Sequence, residues 1–152
     1  MVELAVPGNP YLLDPSTITY SPLVVRTLDR FIEQYDVELV WSTTWNFQES
    51  VLLLPSAIGG LDGGRILPVK LNELAVDRKE WTQWKADAII ADQASNPRPF
   101  VWVDDNAHSY WDSHVKENIT VPSLFITTQS ETGLTIDELV EIESFLFDHA
   151  KN

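Results

Sequence analysis

Phe100-Val101-Trp102-Val103-Asp104-Asp105-Asn106 is the stretch on which the fold turns. Four large apolar residues, each β-branched or aromatic, run directly into two adjacent carboxylates. Such a run reads as a strand buried on both faces, the kind that parallel sheets in α/β proteins require. Ligands of such sheets bind just beyond the carboxyl ends of the strands. Asp104 and Asp105 would there form a hard-oxygen site suited to Mg²⁺, which takes one or two carboxylates and keeps several waters. The alternative is a loop in which one Asp caps the next helix and the other is solvated.

Working outward, strand and helix signals alternate. Ser21-Pro22 has the form of a helix start, with Ser as cap and Pro at the first helical position. Val24, Leu28, Phe31, Ile32 and Tyr35 follow at helical spacing, and the pattern ends near Asp36. Val37 to Trp41 reads as a strand closed by Ser42-Thr43-Thr44-Trp45. Residues 48–58 predict a helix broken near Pro55, then Gly59 to Gly64 a flexible turn and Arg65 to Leu71 a short edge strand. A helix from about Glu80 to Ala94 precedes the Phe100 strand, and Ser123 to Thr127 is a further strand. Thr135-Ile136-Asp137-Glu138 has capping-box spacing and opens a last helix, to about His149. The alternation predicts an α/β domain over residues 1–152 with a mainly parallel central sheet covered on both faces.

Composition narrows the class. Hydrophobic residues make up 44% of the 152, too many for a disordered chain. No apolar run approaches the ~20 residues needed to cross a bilayer. The N-terminus has no basic region leading into an apolar stretch, so neither a membrane anchor nor a signal peptide is expected, and the cytoplasm is the default compartment. The chain has no cysteine, which excludes disulfides and thiolate metal sites. A net charge of −13 should repel bare nucleic-acid backbone and suits a basic protein partner.

Three polar groups fall at the expected carboxyl edge of the sheet. Thr43, flanked by Ser42 and Thr44, ends the Val37 strand, and hydroxyls there can donate to a phosphoryl oxygen. Lys85 lies near the start of the Glu80 helix and offers a positive charge to an anionic substrate. Asp104 and Asp105 complete the set. Hydroxyl, lysine and paired carboxylates are the parts that phosphoryl transfer needs. Each also has a plainer role: Thr packs well in strands, and most lysines are solvated. Trp81, Trp84, Tyr110 and Trp111 could wall such a site, although large aromatics mostly pack inside. His108 and His114 flank the last two and read as structural.

With Val37 to Trp45, Trp84-Lys85, Pro99 to Asp105 and Gly133-Leu134-Thr135 in order, the chain resembles the haloacid dehalogenase-like (HAD) phosphatase superfamily. It is similar in particular to the small HAD domains fused to RNA-repair enzymes, over about Thr19 to Phe147. The resemblance implies a three-layer Rossmann-like fold. It also implies that Thr43, with Thr44 beside it, and Lys85 bind the transferring phosphoryl group, and that Asp104 and Asp105 help hold Mg²⁺. Residues 48–74 are the only candidate for a minimal cap, which would leave the site open to a large substrate and favours a nucleic-acid end over a phosphorylated small molecule.

The first motif of that family departs from the pattern. Its two aspartates, two residues apart, should end the first strand. If Val2 to Val6 is that strand, Ala5 and Pro7 stand in their places, and neither side chain can attack phosphorus or shuttle a proton. Alternatively, the chain begins downstream of the motif. Asp14, after Leu12-Leu13, is a third candidate for the nucleophile, although Pro15 gives its surroundings the look of a turn. These readings leave an Mg²⁺-dependent phosphatase, an impaired HAD scaffold that binds a phosphorylated ligand or a basic partner, or an unrelated α/β domain.

Overall fold

The computed structural model describes residues 2–5, 17–42, 54–56, 58–67, 78–105, 107–110, 116–129 and 132–150. They belong to two compact units, Met1–Ile66 (with Asn152) and Leu67–Lys151. Helices and parallel strands make the chain α/β, as expected. Among the described residues the strands pair two by two. No helix among them is long and apolar enough to cross a membrane.

The first unit opens with β1 (Val2–Ala5) and β2 (Thr17–Tyr20), paired antiparallel with Ala5 opposite Thr17. A strand thus stands where Val2 to Val6 was expected to form one, and its partner among the described residues is antiparallel. The connection 6–16 is short for a parallel crossover, which needs about a dozen or more residues and usually a helix.

Helix α1 (Pro22–Gln34) starts as its sequence predicts. The Ser21 hydroxyl accepts from the Val24 N–H at 3.4 Å, and Pro22 occupies the first turn where its missing donor costs nothing. Val25 and Phe31 bury its inner face. The helix stops where Asp36 turns left-handed (φ 52°), and the Val37 N–H reaches back to the Ile32 carbonyl at 3.0 Å. That bond satisfies a carbonyl the helix end would otherwise orphan.

β3 (Val40–Trp41) and β4 (Arg65–Ile66) form a parallel pair. The predicted strand from Val37 is thus shorter than expected, and of the one expected from Arg65 to Leu71 residues 68–71 lie outside the described residues. The Gly59 to Gly64 turn is anchored rather than free. The Leu61 N–H donates to Asp29 Oδ1 of α1 at 2.9 Å, and Leu61, left-handed at φ 58°, is buried. A side chain at Gly60 would run into Asp29 and Val25, so glycine permits the close approach. Of the 48–74 segment expected as a helix and cap, residues 48–53, 57 and 68–74 lie outside the described residues.

In the second unit, α2 (Arg78–Ser95) buries Ala86, Ile89 and Gln93, a stripe at helical spacing. The Gln93 amide oxygen accepts from the Arg98 N–H at 3.1 Å and so fixes the turn into β5. β5 (Phe100–Asp104) pairs parallel with β6 (Ser123–Thr127) along its whole length, Phe100 opposite Ser123 and Asp104 opposite Thr127. Phe125 meets both Phe100 and Trp102 edge-on, with ring centroids 5.7 Å apart in each case. Burial of Trp102 and Ile126 anchors the pair, and a fully buried Ile contributes about 1.5–3 kcal/mol. The expectation of burial on both faces is corrected at Val103, which is 39% exposed. Successive side chains of a strand point to opposite faces, and on the Val103 face its register partner Ile126 is nevertheless buried.

The short helix α3 (Ala107–Tyr110) contacts β5, β6 and α2, with Ala107 fully buried. Helix α4 (Ile136–His149) carries the predicted capping box. The Thr135 hydroxyl accepts from the Glu138 N–H, and the Glu138 carboxylate accepts from the Thr135 N–H at 2.9 Å. Leu139 and Ile142 bury one face of α4, which packs on β6.

Candidate functional site

Asp104 is the last residue of β5 and follows Trp102 by two, so the strand period turns it to the packed face. Its side chain is only 6% exposed, and a carboxylate so buried needs a charged or hydrogen-bonding partner. Lys85 of α2 supplies it, with Nζ 2.8 Å from Asp104 Oδ2 and a side chain 13% exposed. Two of the expected site residues, distant in sequence, are brought into contact.

Lys85 does not sit at a helix start as expected. α2 already begins at Arg78, because Arg, Lys and Glu all favour helix and extend it ahead of Trp81. Lys85 accordingly reaches Asp104 from the body of the helix.

Asp105 lies just past the strand, exposed, in the turn toward α3. Its carboxyl is held above the usual carboxylate range, first by a hydrogen bond shared with Asp104, then by partial burial and the Asp104 charge. Lys85 and the Asp105 backbone act in the opposite direction. Two carboxyl groups at a strand exit are a pair that would hold a divalent cation. The donors fit Mg²⁺, which needs no more than one or two carboxylates with water completing its shell. Among the described residues no third His, Asp or Glu joins them.

Of the alternative in which one Asp caps the next helix and the other is solvated, Asp104 fits neither part, since its side chain is buried against Lys85. The N–H at the start of α3, that of His108, donates instead to the Thr127 hydroxyl at 3.2 Å. The Thr128 N–H donates to the Asp104 carbonyl at 3.2 Å, which extends the parallel ladder beyond both strands. Thr127 is the residue that sequence reasoning passed over. Its signal was present, a hydroxyl as the last residue of a predicted strand, but its register with Asp104 is a long-range fact.

Thr43, Thr44 and Asp14 lie outside the described residues, as do Trp111 and His114 and the side chains of Trp81, Trp84 and Tyr110. Ser42, the residue before Thr43, has a buried hydroxyl with no hydrogen-bond partner among the described residues. His108 is exposed on α3. A cavity of about 160 Å³ lined by Gln93, Pro97, Asn118 and Thr120 lies among segments that precede β5 and β6, away from the acidic turn.

A family model described as the HAD domain in Swiss Army Knife RNA repair proteins matches residues 5–139, most of the chain. No curated protein and no solved structure matches it. The parallel β5, the lysine it meets and the carboxylates at its exit all fall within the matched span, and the chain belongs to the family of HAD domains found in Swiss Army Knife RNA repair proteins.

Proposed function

We propose that this HAD-like, phosphatase-type scaffold takes up Mg²⁺ at Asp104 and Asp105 and receives a phosphoester there, a phosphorylated small molecule or a nucleic-acid end. The observation that carries the reading is the buried Lys85–Asp104 ion pair at the exit of a parallel strand, with Asp105 beside it. Lys85 offsets negative charge on the phosphoryl group, and Thr43 and Thr44 are the hydroxyls that the HAD resemblance assigns to its oxygens. Bound Mg²⁺ would supply Lewis-acid stabilisation of the charge that develops on those oxygens. Parallel pairing in both units supports the three-layer, Rossmann-like arrangement.

Catalysis is impaired on this reading. No Asp-x-Asp pair occurs in the sequence, and Ala5 belongs to an antiparallel strand. Asp14 is the remaining candidate for a nucleophile near the N-terminus. The test is Mg²⁺-dependent hydrolysis of an aryl phosphate by the wild type beside the Asp104→Asn/Asp105→Asn variant. Turnover lost in the variant supports an active site and sends the search for a nucleophile to Asp14→Asn. A folded wild type that binds Mg²⁺ without turnover supports an impaired scaffold, whereas no Mg²⁺ binding removes the metal-site reading.

A second reading, a non-enzymatic acidic protein that docks on a basic partner, is favoured by α4. Ile136, Val140 and Phe147 are 70, 60 and 74% exposed and share one helical face, next to a row formed by Asp137, Glu141 and Asp148. Such a face suits a basic amphipathic helix. A Lys/Leu amphipathic peptide should bind the wild type and the Asp104→Asn/Asp105→Asn variant equally. It should bind Ile136→Ser/Phe147→Ser much less, and equal binding to all three would discard this reading.

A further inference from the structure

We propose that Thr127 is a positioning residue for the Asp104–Asp105 turn, an inference that rests on the reading of that turn as the Mg²⁺ site. Thr127 stands opposite Asp104 in the parallel register, so the two strands end side by side. Its hydroxyl accepts from the His108 N–H at 3.2 Å, three residues beyond Asp105. The next residue, Thr128, donates its own N–H to the Asp104 carbonyl at 3.2 Å. The acidic turn is thus held at both ends by β6: at its start through the Asp104 carbonyl, at its finish through the Thr127 hydroxyl. Ala107, fully buried, leaves the first residue of α3 no room to shift.

The hydroxyl matters more than the shape of this side chain. A backbone N–H at the first turn of α3 has no acceptor within so short a helix, and a side-chain oxygen is the usual remedy. Valine would keep the β-branched outline and lose the acceptor; serine would keep the acceptor and lose the methyl group. Without the acceptor the segment between Asp105 and α3 loses its far anchor, and Asp105 samples directions that do not converge with Asp104. Residues that orient metal ligands from behind typically alter metal affinity by roughly 10–100-fold when removed.

The experiment is Mn²⁺ uptake, read as loss of the free-ion EPR signal, on wild type, Thr127→Val, Thr127→Ser and Asp104→Asn/Asp105→Asn, with Mg²⁺ as competitor. The expected result is a weakening of roughly 10–100-fold in Thr127→Val, recovery of most of it in Thr127→Ser, and loss in the double Asn variant. Wild-type affinity in Thr127→Val, with binding lost in the double variant, overturns the role of Thr127 and leaves the metal site standing. Equal losses in the Val and Ser variants overturn it too, since packing would then be the cause. No uptake by the wild type overturns both readings. Should Thr127→Val fail to fold, hydrogen exchange on the wild type decides. Mg²⁺ should raise the protection of the His108 amide, and an unchanged amide in Mg²⁺-bound protein overturns the proposal.

Discussion

Lys85–Asp104 in the second unit and Arg65–Glu38 in the first are ion pairs of almost equal length, 2.8 and 2.7 Å. The first pair is 13 and 6% exposed and joins a helix to a strand end; the second is 39 and 43% exposed and lies beside the short β3–β4 ladder. Length says little about what each contributes. In water the attraction is screened and each side chain can be solvated alone, so an exposed pair is worth about 0–1 kcal/mol. Burial raises the stakes in both directions: the intact pair must offset its own desolvation, and the loss of one partner leaves a charge with no water to solvate it. The buried pair is therefore the one whose partners cannot be changed independently, and it is the one at the candidate site.

The sharpest way to break this contrast is Lys85→Met. It should lower stability in urea by about 3–5 kcal/mol, because Asp104 would remain buried without its cation. A loss under about 1 kcal/mol would mean that the pair is solvated in practice and that the contrast is empty. Next in size is Asp29→Ala in the first unit. Asp29 accepts from the Leu61 N–H at 2.9 Å, and leaving that donor without its acceptor should cost about 1–3 kcal/mol. Amide exchange at Leu61 should rise in step, and if it does not, the Gly-rich turn is held by something else. Glu38→Gln should change stability by less than about 1 kcal/mol, an effect that 1 M salt erases.

The smallest effect is a pH dependence at Asp105. Its carboxyl is raised above the ordinary value of 3.8, so the folded state holds the proton more tightly than the unfolded one. The stabilisation is fully present below that ordinary value and is lost as pH rises through the folded value. ¹³C NMR of the Asp105 carboxyl should show a titration displaced upward, and Asp105→Asn should flatten the fall in stability over that window. Because Asp104 is the first cause of the shift, Asp104→Asn should return Asp105 toward its ordinary range.

Much of the second unit was legible in local pattern. Valines and aromatics ahead of Asp104 announce a strand, Ser123 to Thr127 another, and Thr135 with Glu138 a capped helix, since each depends on neighbours within a few residues. Ser21-Pro22 was readable for the same reason. Ala5 was not, because nothing in Val2 to Val6 distinguishes an antiparallel partner from a parallel one. The Asp29–Leu61 bond also escaped notice: a carboxylate on an amphipathic helix looks solvated until a turn is folded onto it. The Gly59 to Gly64 segment accordingly read as free when it is anchored.

At the candidate site the division is equally physical. Sequence by itself determined which groups are available: a lysine on a helix and two carboxylates where an apolar run ends, with no cysteine and with no Asp-x-Asp pair anywhere. Side-chain chemistry is local, and a strand carries the residues at its C-terminal end to its own exit. Tertiary structure alone decided that Lys85 meets Asp104, that Asp104 holds the Asp105 carboxyl above its usual range, and that Thr127 stands opposite Asp104 and accepts from the His108 N–H. Those facts depend on the register of two strands and on one helix laid beside them, contacts between residues far apart in the chain whose pairing no local pattern encodes.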